Sequence, residues 1–410
     1  MKNRFCSLLF ILLLFGGAAL EAEDMPIDSF KDISGWHGPS DAKLEKVAED
    51  GFDAILIEAP LGRIERRAYP FSLNDRAGFD RFGGISFRVK GDGGEHNITV
   101  SVFFNNTNDL QYCTTIPIHG KEWRQMTLPW SDFINKSSNP GRLGEPGGLP
   151  ISGVDSLSFG DQWKIAYCNN AIPRFHYEVA DLKFVEKAAP RLTFVKYPYR
   201  SLESVVAKMK AGEPVLIYCQ GDSITAGTGV GDQRYGNQLE ARLREDFKNE
   251  RIRVKTVAVG GAHTFDLRLW AERDFSGQEK PDLVTLHIGY NDKGAGRTKA
   301  WFKASVEDWI DRVNSLTEGK TAFLLLPTIP GQLSRYTMLN NYAEAIREIA
   351  AERNLAAYDL AKDFKDLGAI PMIDYFCNED KAHPNSKGHE FIASKLAAFL
   401  KQYREPVVVR

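Results

Sequence analysis

Val215-Leu-Ile-Tyr-Cys-Gln-Gly-Asp-Ser-Ile-Thr225 is the stretch that decides how the second half of this chain folds. Its unbroken apolar start predicts a strand over Val215–Cys219, of the kind buried on both faces in a parallel sheet. Gly221 then lets the chain turn sharply, and a helix is expected soon after. In an open α/β sheet, ligands bind beyond the carboxyl ends of the strands. Ser223 therefore stands where a nucleophile can be presented. Asp222 or Ser223 serves equally well as a helix N-cap, and the stretch alone leaves both readings open.

The same rhythm continues outward. Further strands are predicted at Ile252–Val259, Asp282–Ile288, Thr321–Pro327 and Ala356–Leu360. Helices are predicted at Tyr235–Phe247, Trp301–Leu316, Asn340–Arg353 and Ser386–Tyr403, with a lead-in helix at Ser201–Lys210. In the last helix Ile392, Leu396, Phe399 and Tyr403 share one stripe. This alternation implies an α/β fold, a three-layer α/β/α sandwich about a parallel sheet with right-handed crossovers. The domain is placed at 196–404, its boundary near Ala188–Arg200.

Residues 25–190 follow a different period. Short strands lie between Gly, Pro, Asn and Asp turns at Ile85–Val89, His96–Phe104, Gln111–Ile118, Trp123–Leu128, Ser156–Phe159 and Arg174–Val185. Ile98, Val100, Val102 and Phe104 alternate onto one face. Asn135–Pro150, rich in Gly and Pro, is a loop. The pattern predicts an antiparallel β-sandwich of jelly-roll type.

The chain has 410 residues, enough for two or three domains at ~100–200 residues each. Lys+Arg number 52 and Asp+Glu 54, for a net charge of -2, so the basic excess of a nucleic-acid binder is missing. Residues 1–22 have the order of a secretory signal peptide: Lys2 and Arg4, the apolar run Leu8–Phe15, small residues, then Glu21. An uncleaved anchor is the alternative. Cleavage is expected after Ala19 or Ala22, and the mature protein outside the cytoplasm, secreted or periplasmic, with no membrane span. Beyond Cys6 the cysteines are Cys113, Cys168, Cys219 and Cys377, too few for a disulfide scaffold and without zinc spacing. Cys219 and Cys377 flank the nucleophile turn and the Asp380 loop and are expected near each other.

Three more loops carry chemistry. Val259-Gly-Gly-Ala-His263 can bring backbone N–H groups close to a ligand, and His287-Ile-Gly-Tyr-Asn-Asp292 can aim a side-chain amide into the same crevice. Each is also a plain turn by composition. In Asp380-Lys-Ala-His383 the offset of three puts a carboxylate beside an imidazole. The alternative there is a solvated acid and a histidine that merely precedes a helix.

With these blocks in order, residues 198–402 resemble the SGNH (GDSL-type) hydrolases. Gly221-Asp-Ser-Ile-Thr225, Gly261, Gly289-Tyr-Asn-Asp292 and Asp380–His383 carry the likeness. The usual Asn of the second block is missing near Ala258. The resemblance implies a flavodoxin-like sheet and an ester hydrolase that needs neither metal nor cofactor. It makes Ser223 the nucleophile, His383 its base and Asp380 the orienting acid, with Ser223, Gly261 and Asn291 receiving the oxyanion. The N-terminal half more loosely resembles galactose-binding-like sandwiches found as carbohydrate-binding modules, through Trp123–Phe133 and Tyr177–Phe184. Trp36, Trp163, Tyr112 and Tyr167 are then sugar-stacking candidates, with core burial the blander reading. Together these features predict an esterase acting on small acyl groups, acetyl first, of a carbohydrate. A lipid or general acyl-ester hydrolase, or a non-catalytic glycan binder on a hydrolase scaffold, are the alternatives. Gly227-Thr-Gly-Val-Gly231 lacks the residues of a phosphate loop, and Lys90–Glu95 reads as a hairpin turn before a calcium loop.

Overall fold

Alternating apolar residues build the N-terminal half into two antiparallel sheets. The computed structural model describes residues 24–38, 43–59, 64–66, 75–104, 107–135, 143–144, 148–160, 175–277, 279–331, 339–377 and 379–403. In the first sheet β2 (Lys43–Glu49), β3 (Phe52–Ala59), β11 (Phe175–Val185), β5 (Gly84–Gly91) and β8 (Arg124–Pro129) lie in that order, and β1 (Met25–Asp28) pairs with β11. In the second the order is β4 (Ile64–Arg66), β10 (Val154–Gly160), β6 (Glu95–Phe104), β7 (Thr107–His119) and β9 (Ile134–Asn135). Their facing sides share one core that includes Ile57, Phe87, Val100, Val102, Leu157 and Tyr177. Trp36 and Tyr112 belong to that core, which fills the sandwich and leaves neither ring for a sugar. Trp163, Tyr167 and Cys168 lie outside the described residues.

One face of β6 behaves as its alternation predicts, with Ile98, Val100, Val102 and Phe104 buried. The opposite face is also closed: Thr99, Ser101 and Phe103 are 6%, 2% and 2% exposed. A sheet with water on its outer side leaves such positions open, so something covers this one. On the neighbouring strands β7 and β9, part of the cover is a helix of the second half.

That half is built on a parallel sheet of order β13 (Ile252–Ala258), β12 (Val215–Gly221), β14 (Leu283–His287), β15 (Ala322–Leu325) and β16 (Ala356–Ala357). Renumbered from its own first strand, this is 2-1-3-4-5, the flavodoxin-like order, whose switch point lies between β12 and β14. Alternate residues of each central strand face opposite layers. Leu216, Tyr218, Val284, Leu286 and Phe323 pack with α4 (Thr264–Phe275), α6 (Lys299–Leu316) and α7 (Leu339–Arg353). Ile217, Cys219, Leu283 and Leu324 pack with α1 (Leu202–Lys210), α3 (Tyr235–Phe247), α8 (Leu360–Asp366) and α10 (Ser386–Gln402). Each fully buried aliphatic side chain contributes about 1.5–3 kcal/mol, so both faces hold the sheet in register.

The predicted strand Ala356–Leu360 is shorter than expected. Asp359 caps α8 by accepting from Lys362 N–H at 2.9 Å, and Leu360 begins that helix. Cys219 and Cys377 carry unbridged thiols. Burial pushes the Cys219 thiol up to about 11, so it is inert as a nucleophile near neutral pH. Among the described residues no helix is long and apolar enough to cross a membrane.

Candidate active site

Strand register gathers the site. Gly221, Ala258 and His287 stand side by side across β12, β13 and β14. Ser223 follows two residues after the first, Gly261 three after the second and Asn291 four after the third. Three loops thus leave the sheet at one level and lean over its switch point. At Gly221 only glycine fits, because a Cβ would lie 2.3 Å from both His287 O and Thr225 Oγ1. The chain can therefore turn directly off the strand into α2 (Ser223–Ala226).

The two residues of the turn have different surroundings. Asp222 is the N-cap, its Oδ1 accepting from Ile224 N–H at 3.0 Å. Ser223 is the first residue of the short helix, and its Oγ lies 2.7 Å from His383 Nε2. His383 Nδ1 is hydrogen-bonded to Asp380 Oδ2. The other carboxylate oxygen of Asp380 accepts from the N–H groups of Ala382 and His383, at 2.8 and 3.0 Å. Burial raises the Asp380 pKa, but these two amides and the imidazole outweigh it and hold the acid below its ordinary value. It stays a carboxylate and can fix the imidazole tautomer. The loop around it is closed by Cys377 N–H donating to His383 O at 2.8 Å, and Asn385 caps α10.

On the far side of Ser223 stand the other two residues singled out by motif. Gly261 has φ +74°, a left-handed conformation that suits glycine. Asn291 lies in the first turn of α5 (Tyr290–Gly294), and its Nδ2 donates to Ala262 O at 2.9 Å. That bond uses one of two amide hydrogens and pins the other beside the Gly261 loop. The structure thus brings Ser223, His383 and Asp380 into direct contact, and ties Asn291 to the Gly261 loop through Ala262.

Other polar groups support these loops. Asp292 is fully buried and accepts from Thr264 Oγ1 at 2.7 Å and from Thr264 N–H at 3.2 Å. Burial raises its pKa, with Thr264 and His263 pulling the other way. Burial also pushes Asp222 up to about 7, against the Ile224 N–H bond. His389 Nδ1 accepts from Tyr235 N–H at 3.1 Å, and His287 Nε2 accepts from Ile329 N–H at 3.2 Å. Burial brings both imidazoles down to about 4, so they are neutral supports. Asp292 stood within a quoted motif but nothing marked it as buried. His389 had no motif at all. Among the described residues no group of three or more His, Cys, Asp or Glu side chains is arranged to hold a metal ion.

A Ser–His–Asp chain across the switch point of a flavodoxin-like sheet defines a hydrolase domain of the three-layer α/β class. Residues 219–391 match the GDSL-like Lipase/Acylhydrolase family. No curated protein matches the chain. Solved structures that resemble it include the acetyl xylan esterase AlAXEase, 26% identical over 45% of this chain and 98% of its own, TM-score 0.39. A two-domain esterase active on acetylated mannans, crystallised with mannopentaose, is 24% identical over 50% and 54%, TM-score 0.41. Axe2, an acetylxylan esterase from Geobacillus stearothermophilus, is 21% identical over 48% and 97%, TM-score 0.40.

Proposed function

We propose that the protein is a secreted carbohydrate esterase that removes small acyl groups, acetyl first, by serine catalysis. The observation that carries the catalytic part is the continuous chain from Ser223 Oγ through the His383 ring to the Asp380 carboxylate. His383 Nε2 takes the Ser223 proton as Oγ bonds to the acyl carbon. The resulting oxyanion faces the N–H groups of Ser223 and Gly261 and the second amide hydrogen of Asn291. Collapse of that intermediate breaks the acyl–oxygen bond to the sugar, and His383 returns the proton to the leaving hydroxyl. Water then attacks the acyl-enzyme with the same base, releasing the acid and Ser223.

The substrate class rests on two features of the sequence. The signal-like order of residues 1–22 supports export, and the β-sandwich ahead of the hydrolase domain supports a polysaccharide target. The test is acetate release from a panel of acetylated glycans, set against hydrolysis of p-nitrophenyl acetate and of a long-chain p-nitrophenyl ester. Release from at least one glycan, with the short ester preferred, is expected. A preference for the long-chain ester with no glycan turnover overturns the carbohydrate reading. Failure of a fluorophosphonate to label Ser223 overturns the mechanism.

A further inference from the structure

Helix α4 is covered on every side. Its buried residues Thr264, Phe265, Asp266, Leu267, Leu269, Trp270, Ala271 and Phe275 run right round the helix axis. One side packs against the parallel sheet. The other meets the β-sandwich, where Cys113 of β7 and Ile134 of β9 join the apolar cluster of α4. This closes part of the outer face of β7 and β9.

A charged clamp sits at the same contact. Arg191 donates from Nη1 and Nη2 to the two carboxylate oxygens of Glu272 on α4, at 2.5 and 2.7 Å. Nη2 also donates to Thr115 O of β7 at 3.0 Å, and the Arg191 N–H donates to Asp132 Oδ2 at 3.2 Å. The two side chains are only 18% and 15% exposed. A bidentate pair removed from water fixes orientation as well as distance.

The opposite end of α4 is the oxyanion loop. Gly261 and Ala262 lead directly into its first turn. His263 N–H donates to Asp266 Oδ2 at 2.8 Å, Thr264 holds Asp292, and Ala262 O holds the Asn291 amide. Eight residues of helix, about 12 Å, separate Thr264 from Glu272, and a packed helix moves as a rod.

We propose that the β-sandwich is a working part of the catalytic unit, holding the oxyanion loop in place through the Arg191–Glu272 clamp on α4. Arg191 and Glu272 are positioning residues: they touch no reacting atom and act through the helix. A shift of about 1 Å in a reacting group can cost ~100-fold in rate, so a small loosening of α4 is enough to be seen. This rests on the esterase reading given above.

The test uses the full-length chain with Arg191→Met, Glu272→Gln, the conservative Arg191→Lys and the exchange Arg191→Glu with Glu272→Arg. Lys46→Met, whose partner Asp53 lies 3.2 Å away within the sandwich, is the control. With p-nitrophenyl acetate, Arg191→Met and Glu272→Gln are expected to lose about tenfold in kcat at unchanged KM. Fluorophosphonate labelling of Ser223 slows in parallel, Arg191→Lys falls in between, the exchange recovers most of the rate, and the control keeps it. Folded single variants with wild-type kcat overturn the proposal. If Arg191→Met does not fold, wild-type kcat in Arg191→Lys overturns it instead. A wild type that neither hydrolyses nor labels sinks the esterase reading. The positioning is then read from hydrogen exchange at the Gly260–Ala262 amides: faster exchange in the single variants supports it, unchanged exchange overturns it.

Discussion

Helices α3 and α4 have 13 and 12 residues and leave neighbouring loops of one sheet, yet they live in different surroundings. The buried residues of α3 are Tyr235, Gly236, Leu239 and Leu243, a single stripe with water on the other side. Those of α4 surround the axis. The α3 pattern is what an amphipathic surface helix must show, and its bounds are those the sequence predicts. The α4 pattern belongs to an element between two domains. The difference teaches that the helix after the Ser223 loop packs within one half of the chain, whereas the helix after the Gly261 loop packs against both.

The contrast assigns chemistry to the loops and bracing to the helices, and the largest effects should fall on the loops. Ser223→Ala should lower kcat by about 10⁴-fold or more, measured on p-nitrophenyl acetate. A wild-type rate in that variant would place the chemistry elsewhere. Asp380→Asn should be about ten- to a hundredfold less damaging than loss of the serine, because the imidazole remains but in the wrong tautomer. Asn291→Ala should cost ~100- to 1000-fold in kcat with little change in KM, as for one lost oxyanion donor. A rise in KM alone would show that Asn291 only binds substrate.

The helices should differ in stability. Leu269, 4% exposed, lies on the α4 side that meets Ile134 and Arg191. Leu269→Ala should cost about 2–5 kcal/mol in denaturant unfolding. Arg242→Ala, on the watery side of α3 where its pair with Glu390 is exposed, should cost less than about 1 kcal/mol. Equal costs would erase the contrast.

The last prediction concerns pH and Asp222. Its folded pKa of about 7 lies above the ordinary 3.8, so between those values the folded state holds a proton that the unfolded chain has lost. Its contribution to stability is therefore full below about pH 4 and declines as pH rises to about 7. His287 and His389 act in the opposite sense, their folded pKa values of about 4 costing stability as pH falls below 6.5. The difference in Tm between wild type and Asp222→Asn isolates the carboxyl. It should shift in favour of the variant as pH rises from 4 to 7, and a pH-independent difference would show that Asp222 ionises normally.

Much of the parallel domain was legible because its central strands are unbroken apolar runs and its loops carry glycine, asparagine and aspartate at strand ends. Helix α4 was not seen. Apolar residues round the whole axis give no stripe, and its N-cap is His263 rather than a serine, threonine or asparagine. The capping box completed by Asp266, three residues on, was the available signal. β2 escaped for the reverse reason: Lys43–Glu49 is mostly polar and exposed, so alternation is weak. The cover over β7 and β9 could not be read from those strands, because it comes from residues more than 120 positions away. The motif residues were legible as a set, but the clamp of Arg191 on Glu272 has no motif and exists only where two domains meet.

One acid in this site holds two offices. With one oxygen Asp380 steadies the imidazole, and with the other it gathers the amides of Ala382 and His383, so that the loop is wound around the same group that the reaction needs. An amide at this position still offers an oxygen to the backbone, and its nitrogen is left facing Nδ1. The winding of the loop and the electrical bias on the ring can therefore be pulled apart by a single atom's change. An imaging experiment that follows the ring protons by NMR while the backbone stays in place would see the charge leave before the architecture does.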